Sequence, residues 1–409
     1  MASRRILLVT PFGFTGRLAN FVEAVSARLL SASGWQVSGL TRFEVRQNDD
    51  ARVEGGISVH RYRSTAGALL QLLYIVLRER PAIVHVHMLR NNRVGIAAAI
   101  LAKLMRKKLL FTEHGLLHDP YLTDDREDPL RAPLHEDGIV RSVREIFARA
   151  RGMQNAVSLL KNFFYHWGLT HADELVFVSE HNVALAKRLG FSRVSYLPYL
   201  IDSFRWDRGA PVLGDVSASR AALPDGVRAG TYALFVGQIK KRKGWDIALA
   251  TIARIDPSII PCLVVVSSTS AEAPEQFTEI LDALGISSRV LYKGKVSDTA
   301  LSALYQGARV VLIPSRYEGF GLPAIEALAF ERPIVASDVP ELNVFLKHEK
   351  NALLVRPADP DQCASAIARI VSDSGLDERL VHGGRATLAA MRDKRIASEW
   401  RAFYESQIS

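Results

Sequence analysis

Two glutamates eight positions apart bracket a glycine-rich turn in RYEGFGLPAIE, residues 316–326. Gly319 and Gly321 let backbone N–H groups approach a ligand closely. Pro323 suits the first position of a helix running AIEALAF, and such a helix start carries partial positive charge suited to phosphate. Carboxylates would repel phosphate, so the two acids point to hydroxyls. Glu326, one turn into the helix, can accept from both hydroxyls of a ribose, and Glu318, in the loop, can face a sugar or a developing positive charge. The ligand that combines these parts is a nucleotide sugar.

A second turn, YALFVGQIKKRKGWD, sets Lys240, Lys241, Arg242 and Lys243 between a strand and Gly244. A fixed cation there would stabilise a departing diphosphate more than the bound ground state. Not all four can point inward; Lys243, which abuts the glycine, has the strongest claim, and a solvated basic loop is the alternative for any one of them. In KLLFTEHGLLHD, His114 and Gly115 follow a strand, and His114 either hydrogen-bonds the transferred sugar or is a structural polar residue. TPFGFTGRLAN places Gly13 and Gly16 before a helix, another anion-friendly backbone turn.

These turns need strands and helices to hold them, and the chain supplies both. Short β-branched runs alternate with helix-like segments, the pattern of parallel sheets covered on both faces. In the first half the strand candidates are RILLVT, WQVSGL, IVHVHM, KLLFTE and ELVFVS; in the second they are YALFVG, CLVVVS, RVLYKG, VVLIPS, PIVASD and ALLVRP. The fold expected is α/β, two Rossmann-like, doubly wound domains. They are placed at 1–205 and 206–390, joined by a Gly/Pro/Ser-rich linker before Tyr232, with a final helix, 391–409, whose Trp400, Phe403 and Tyr404 dock on the first domain. The arginine-rich stretch from about Leu116 to Tyr165 breaks the rhythm and reads as a helical insertion flanking that domain.

With these residues in place, the sequence resembles the retaining glycosyltransferases of GT-B fold usually numbered family four, the group that includes sucrose synthase-like and bacterial mannosyltransferase-like enzymes. The likeness covers most of the chain. Its strongest part is the E-x7-E motif from Glu318 to Glu326 inside PSRYEGFGLPAIEALAFERPIVASD, followed by PEL and ALLVRPADP. The resemblance implies two domains facing a central cleft, the donor on the C-terminal domain and the acceptor on the N-terminal one. It implies that Glu326 binds ribose and that Glu318 meets the donor sugar at its reacting carbon. It also implies that His114 contacts that sugar, and that Lys243 binds the diphosphate. Gly319, Phe320, Gly321 and Leu322, the turn at Gly237 and Arg242, and the turn at Gly16 would complete the donor site. Gln238 stands where the family has an arginine, so Lys240, Lys241 or Arg242 must compensate or diphosphate stabilisation is weaker. The reaction implied is transfer of a sugar from a UDP-, GDP- or ADP-sugar to an acceptor hydroxyl without metal or cofactor, the departing phosphate taking the acceptor proton. Cell-surface glycan, glycolipid or polysaccharide synthesis is the expected setting. A nucleotide-sugar epimerase and an inactive nucleotide-sugar-binding relative are the rivals.

The remaining signals are weaker. The 409 residues carry +9, which suits anionic partners, yet no basic run interleaved with aromatics points to nucleic acid. That surplus and the apolar stretch AGALLQLLYIVLRERP suggest peripheral contact with an anionic membrane and a glycan or lipid-linked acceptor, against the plainer reading of a buried helix with solvated arginines. No uncharged apolar run is long enough to span a bilayer. The apolar run after Arg4 and Arg5 is too short for a signal peptide, and Cys262 and Cys363 read as small buried hydrophobes; a cytoplasmic protein is the expectation. Asp359, Pro360 and Gln362 read as a helix cap with its capping-box partner rather than as a metal motif. His85 and His87 share a strand face without a third ligand nearby.

Overall fold

The computed structural model describes residues 4–10, 22–42, 53–54, 56–87, 92–113, 153–200, 227–267, 272–391 and 394–408, with 142, 144, 145, 148 and 223. The chain divides into two units, one made of Met1–Asp202 with Asp393–Ser409, the other of Ser203–Arg392.

The first unit is built on an eight-stranded sheet. Its strands in chain order are β1 (Arg5–Val9), β2 (Gln36–Arg42), β3 (Val53–Glu54), β4 (Ile57–Tyr62), β5 (Ile83–His87), β6 (Lys108–Glu113), β7 (Glu174–Phe177) and β8 (Val194–Tyr196). In space they run β3-β4-β2-β1-β5-β6-β7-β8, every pairing parallel except β3 with β4. The helices between them are α1 (Val22–Ala32), α2 (Thr65–Tyr74, continued by a wider turn over Ile75–Glu79), α3 (Arg93–Leu104), α4 (Met153–His171) and α5 (Glu180–Arg188). Leu7, Val9, Val84, Val86, Leu109 and Phe111 of the sheet pack against Leu72, Ala98, Ala99 and Leu169 of the helices, all buried. α4 is the crossover between β6 and β7. This helix begins inside the stretch expected as a helical insertion, and its Leu159 and Tyr165 are buried.

His85 and His87 point into the same interior, their rings 4.2 Å apart. His85 is held at Nδ1 by the Tyr404 hydroxyl and at Nε2 by Thr112 Oγ1, each at 2.8 Å. Tyr404 comes from the last helix, α13 in chain order (Lys394–Ser406), which belongs to this unit. Trp400 Nε1 donates to the Pro198 carbonyl and Trp35 Nε1 to Glu405, so indole and phenol groups buried on the helix's inner face all find partners.

Among the described residues the second unit has six strands, β9 (Tyr232–Val236), β10 (Cys262–Val266), β11 (Val290–Tyr292), β12 (Val310–Ile313), β13 (Ile334–Ser337) and β14 (Leu353–Val355), in the order β11-β10-β9-β12-β13-β14. All are parallel. Its helices are α6 (Trp245–Arg254), α7 (Glu275–Leu284), α8 (Asp298–Gly307), α9 (Leu322–Ala329), the one-turn α10 (Pro340–Asn343), α11 (Pro360–Ser372) and α12 (Ser374–Met391). The chain starts at β9 in the middle, winds outward through β10 and β11, then returns beside β9 with β12. That reversal of winding opens a crevice beyond the carboxyl ends of β9 and β12.

At α11 the Asp359 side chain accepts from the Gln362 N–H and Pro360 opens the helix. The Gln362 side chain does not complete a capping box on Asp359; it accepts from the Arg356 N–H instead. Cys363 is buried and its thiol pushed up to about 12 by burial, whereas Cys262 is only half-buried, a correction to the expectation for that residue.

Candidate functional site

Both motif turns open into the crevice of the second unit. After β9 the chain passes Gly237 and Gln238, makes one 3-10 turn at Lys241–Lys243, and enters α6 at Gly244. After β12 it passes Ser315 to Gly321 and enters α9, with Gly321 in the left-handed conformation at φ 91° and Pro323 at the second helical residue. The helix ends at Ala329, one residue short of the expected AIEALAF run.

Adjacent strands bring residues 75 apart in sequence into contact. Lys243 Nζ donates to both oxygens of Glu318, at 2.7 and 2.6 Å, and Ser315 Oγ donates to Glu318 Oε1 at 2.7 Å. The Glu318 side chain is 3% exposed and that of Lys243 13%. Burial alone would raise the Glu318 carboxyl, but Lys243 and Arg242 beside it, with the hydrogen bonds from Lys243 and Ser315, hold it below the ordinary carboxylate value. Burial pulls the Lys243 ammonium below its ordinary value against the opposing attraction of Glu318. An ammonium has three donors, and Glu318 takes two.

The basic run thus sorts itself. Lys243 turns onto Glu318, Lys241 is exposed, and Arg242 is half-buried with its Nε lacking a hydrogen-bond partner among the described residues. The Arg242 carbonyl accepts from the N–H groups of Arg316 and Tyr317, while the Arg316 guanidinium forks onto both oxygens of Asp246 at 2.8 Å and reaches the Lys241 carbonyl. These bonds stitch one turn to the other and set where Lys243 stands relative to Glu318.

Glu326 lies one turn into α9, half-buried, its Oε2 accepting from the Tyr305 hydroxyl at 2.7 Å. Its charge also reaches Lys243. Phe320 is buried and packs on Phe345 with ring centroids 5.2 Å apart, so its side chain anchors the loop; any ligand contact there falls to backbone. Gly319 and Leu322 are half-buried, and the Gly237 N–H is bonded to the Val266 carbonyl. Gln238 is half-buried, its carbonyl accepting from the Lys240 N–H. His114 and Gly16 lie outside the described residues.

Four participants carry no local sequence signal. Ser315 is an ordinary loop serine until it is placed beside Glu318. Arg316 and Asp246 are far apart in sequence, and Tyr305 sits on the preceding helix. Among the described residues no group of three or more His, Cys, Asp or Glu side chains is placed to hold a metal ion.

Comparison with known proteins follows this division. The family model described as glycosyl transferases group 1 matches residues 228–387, and the glycosyl transferase 4-like domain matches residues 24–199. The D-inositol 3-phosphate glycosyltransferase of Salinispora tropica is 33% identical over 192 residues, covering 44% of this chain and 39% of that protein. The chain's matches span about two fifths of the length of the curated relatives. Among solved structures, sucrose-phosphate synthase from Thermosynechococcus elongatus superposes with a TM-score of 0.70 at 20% identity, covering 98% of each chain. HepE of Anabaena, in complex with UDP-glucose, gives 0.67 at 14% identity, covering 98% of this chain and 99% of that one. These structural likenesses establish the GT-B fold.

Proposed function

The chain belongs to the glycosyl transferases group 1 family, and from that premise we propose that it moves a sugar, with retention, from a nucleoside-diphosphate sugar to an acceptor hydroxyl. The observation that carries the reading is the buried contact of Lys243 with Glu318 at the mouth of β9 and β12. The donor binds the second unit. Its diphosphate takes the third Nζ donor of Lys243 together with the guanidinium of Arg242, which supplies the charge that Gln238 does not. Charge that grows on the leaving oxygen as the glycosidic bond breaks is stabilised more in the transition state than before it, and the buried setting strengthens the effect. Glu318 lies where the reacting carbon becomes positive, Glu326 takes the ribose hydroxyls, and the departing phosphate takes the acceptor proton. HepE, a relative in fold, was solved with UDP-glucose, which supports a nucleotide-sugar donor.

A panel of UDP, GDP and ADP tests the donor assignment. One nucleotide is expected to raise the unfolding midpoint, by ~2.7 kcal/mol of stability at about a hundred times its dissociation constant. If none of the three did, the reading would be wrong.

On the acceptor side the first unit offers an apolar surface. α2 and the turn after it bury Ala68, Leu72, Ile75 and Val76, yet Leu69, Leu70, Leu73, Tyr74 and Leu77 are 45 to 70% exposed. A helix apolar on both faces is ordinarily covered on both. Exposed Arg63, Arg78 and Arg80 flank this stripe, which together with the net charge fits an anionic bilayer surface as its cover and a lipid-linked acceptor as its cargo. No helix of the described residues is long and apolar enough to cross a membrane. Flotation with phosphatidylglycerol vesicles is expected to carry the protein, phosphatidylcholine vesicles much less, and Leu70→Glu to weaken binding about tenfold, since a buried leucine contributes roughly 1.5–3 kcal/mol. Equal binding to both lipids would remove the membrane reading, and a dimer lost on Leu70→Glu would put a second copy on this face.

A further inference from the structure

We propose that Tyr305 is a positioning residue for the nucleotide: its hydroxyl fixes the Glu326 carboxylate for the ribose hydroxyls. The inference deepens the ribose assignment above and rests on it.

Tyr305 lies near the end of α8, fully buried, and its ring is stacked on Phe330, with centroids 5.2 Å apart and planes at 4°. Phe330 directly follows α9, four residues after Glu326. The ring is therefore docked against the same helix that carries the acid. For packing alone a phenylalanine would serve at 305, since the stack uses only the ring. The hydroxyl needs a partner because a buried, unpaired O–H is costly, and the partner it has is Glu326 Oε2 at 2.7 Å.

The acceptor gains from this contact. A glutamate side chain has three rotatable bonds, and holding it still for a ligand costs rotamer entropy on the order of 1.5–2 kcal/mol when nothing else restrains it. Tyr305 contributes to that restraint during folding. A carboxylate retains further lone pairs after accepting one phenol, so a ribose can still be received. Burial, and then the charge of Glu326, push the phenol well above its ordinary pKa, so it remains a protonated donor throughout the physiological range.

The test is Tyr305→Phe in the full chain, which deletes one oxygen and keeps the stacked ring. Affinities are measured for UDP, GDP and ADP and for their 2′,3′-dideoxy counterparts, which lack the hydroxyls in question. The expected result is about tenfold weaker binding of whichever ribonucleotide the wild type binds, with its dideoxy counterpart unaffected. In turnover the donor KM should rise while kcat stays close to wild type. Phe330→Leu, which loosens the ring while sparing both polar groups, should give a smaller loss with the same ribose selectivity and decides the matter if Tyr305→Phe does not fold. Unchanged affinity, or equal losses for the ribo and dideoxy forms, would overturn the proposal. Glu326→Gln separates the two layers. If it too leaves the ribo-over-dideoxy preference intact, the ribose assignment falls with Tyr305; if it abolishes the preference and Tyr305→Phe does not alter it, only the role of Tyr305 falls. A wild type that binds none of the nucleotides would overturn both.

Discussion

Glu318→Gln is expected to lower kcat for glycosyl transfer by about 10²–10³-fold, with a much smaller change in the donor KM, because the charge it removes acts on a transition state rather than on the bound donor. Glutamine keeps the shape and one acceptor for Ser315 but leaves Lys243 without its counter-charge in a site where Glu318 is 3% and Lys243 13% exposed. Removing one member of a buried pair costs up to about 3–5 kcal/mol. The small opening at Lys243 to water places the expected loss toward the lower end. The pH dependence has a definite sign. Glu318 is held below its ordinary value in the folded protein, so its stabilisation is complete above the unfolded carboxyl's pKa and is lost as pH falls through the folded one. The difference in unfolding midpoint between wild type and variant should therefore be largest near neutrality and shrink on acidification. Adding Lys243→Met to Glu318→Gln should recover part of the stability, since no uncompensated charge remains, without recovering transfer. Transfer at wild-type rate by a folded Glu318→Gln protein would show that the reacting centre lies elsewhere.

Gly244→Ala should be the most damaging single methyl in the second unit. Gly244 closes the basic turn at φ 69°, in the left-handed region, and a Cβ there would stand 1.9 Å from the Pro314 carbonyl oxygen and 2.7 Å from its carbon. The obstacle is backbone of the neighbouring loop, so no rotamer change relieves it. Left-handed strain of roughly 1–3 kcal/mol and the displaced contact together predict a loss of about 3–5 kcal/mol, or an unfolding midpoint lower by roughly 10 °C. Because the same movement parts Lys243 from Glu318, transfer should fall with stability. Gly237→Ala, in the same turn, provides the control. Its Cβ would meet side chains alone, the Phe235 ring edge at 3.2 Å and Lys243 Cγ at an ordinary 3.7 Å, and the cost should be roughly 1 kcal/mol or less. Equal midpoints for the two variants would contradict the close approach of the turns.

All eleven strand candidates correspond to strands of the two sheets, because strands buried on both faces read as continuous apolar, β-branched runs. The strands that went unread are β3, β4 and β8. ISVHRY in β4 alternates with polar residues, and β3 and β8 are two- and three-residue pieces at the sheet's ends, where one side of the ladder has no neighbour to demand apolar side chains. The stretch GALLQLLYIV was legible as apolar, but its division into a buried face and an exposed one was not, since leucine occurs on both.

For the site, the sequence by itself determined the local chemistry: two glycine turns leading from strands into helices, the acids of one, the cations of the other, and the order in which they come. Such features are properties of short windows, fixed by backbone preference and residue type. The tertiary structure alone decided which cation meets which acid. Abutting Gly244 sets Lys243 apart from the three basic residues before it, but nothing in the sequence pairs it with an acid; the β9–β12 pairing, with the Arg316–Asp246 fork across it, puts it on Glu318. Tyr305 on Glu326 was likewise invisible, because a side chain's partner across a parallel sheet depends on the winding of the chain, and a single window of residues contains no record of it.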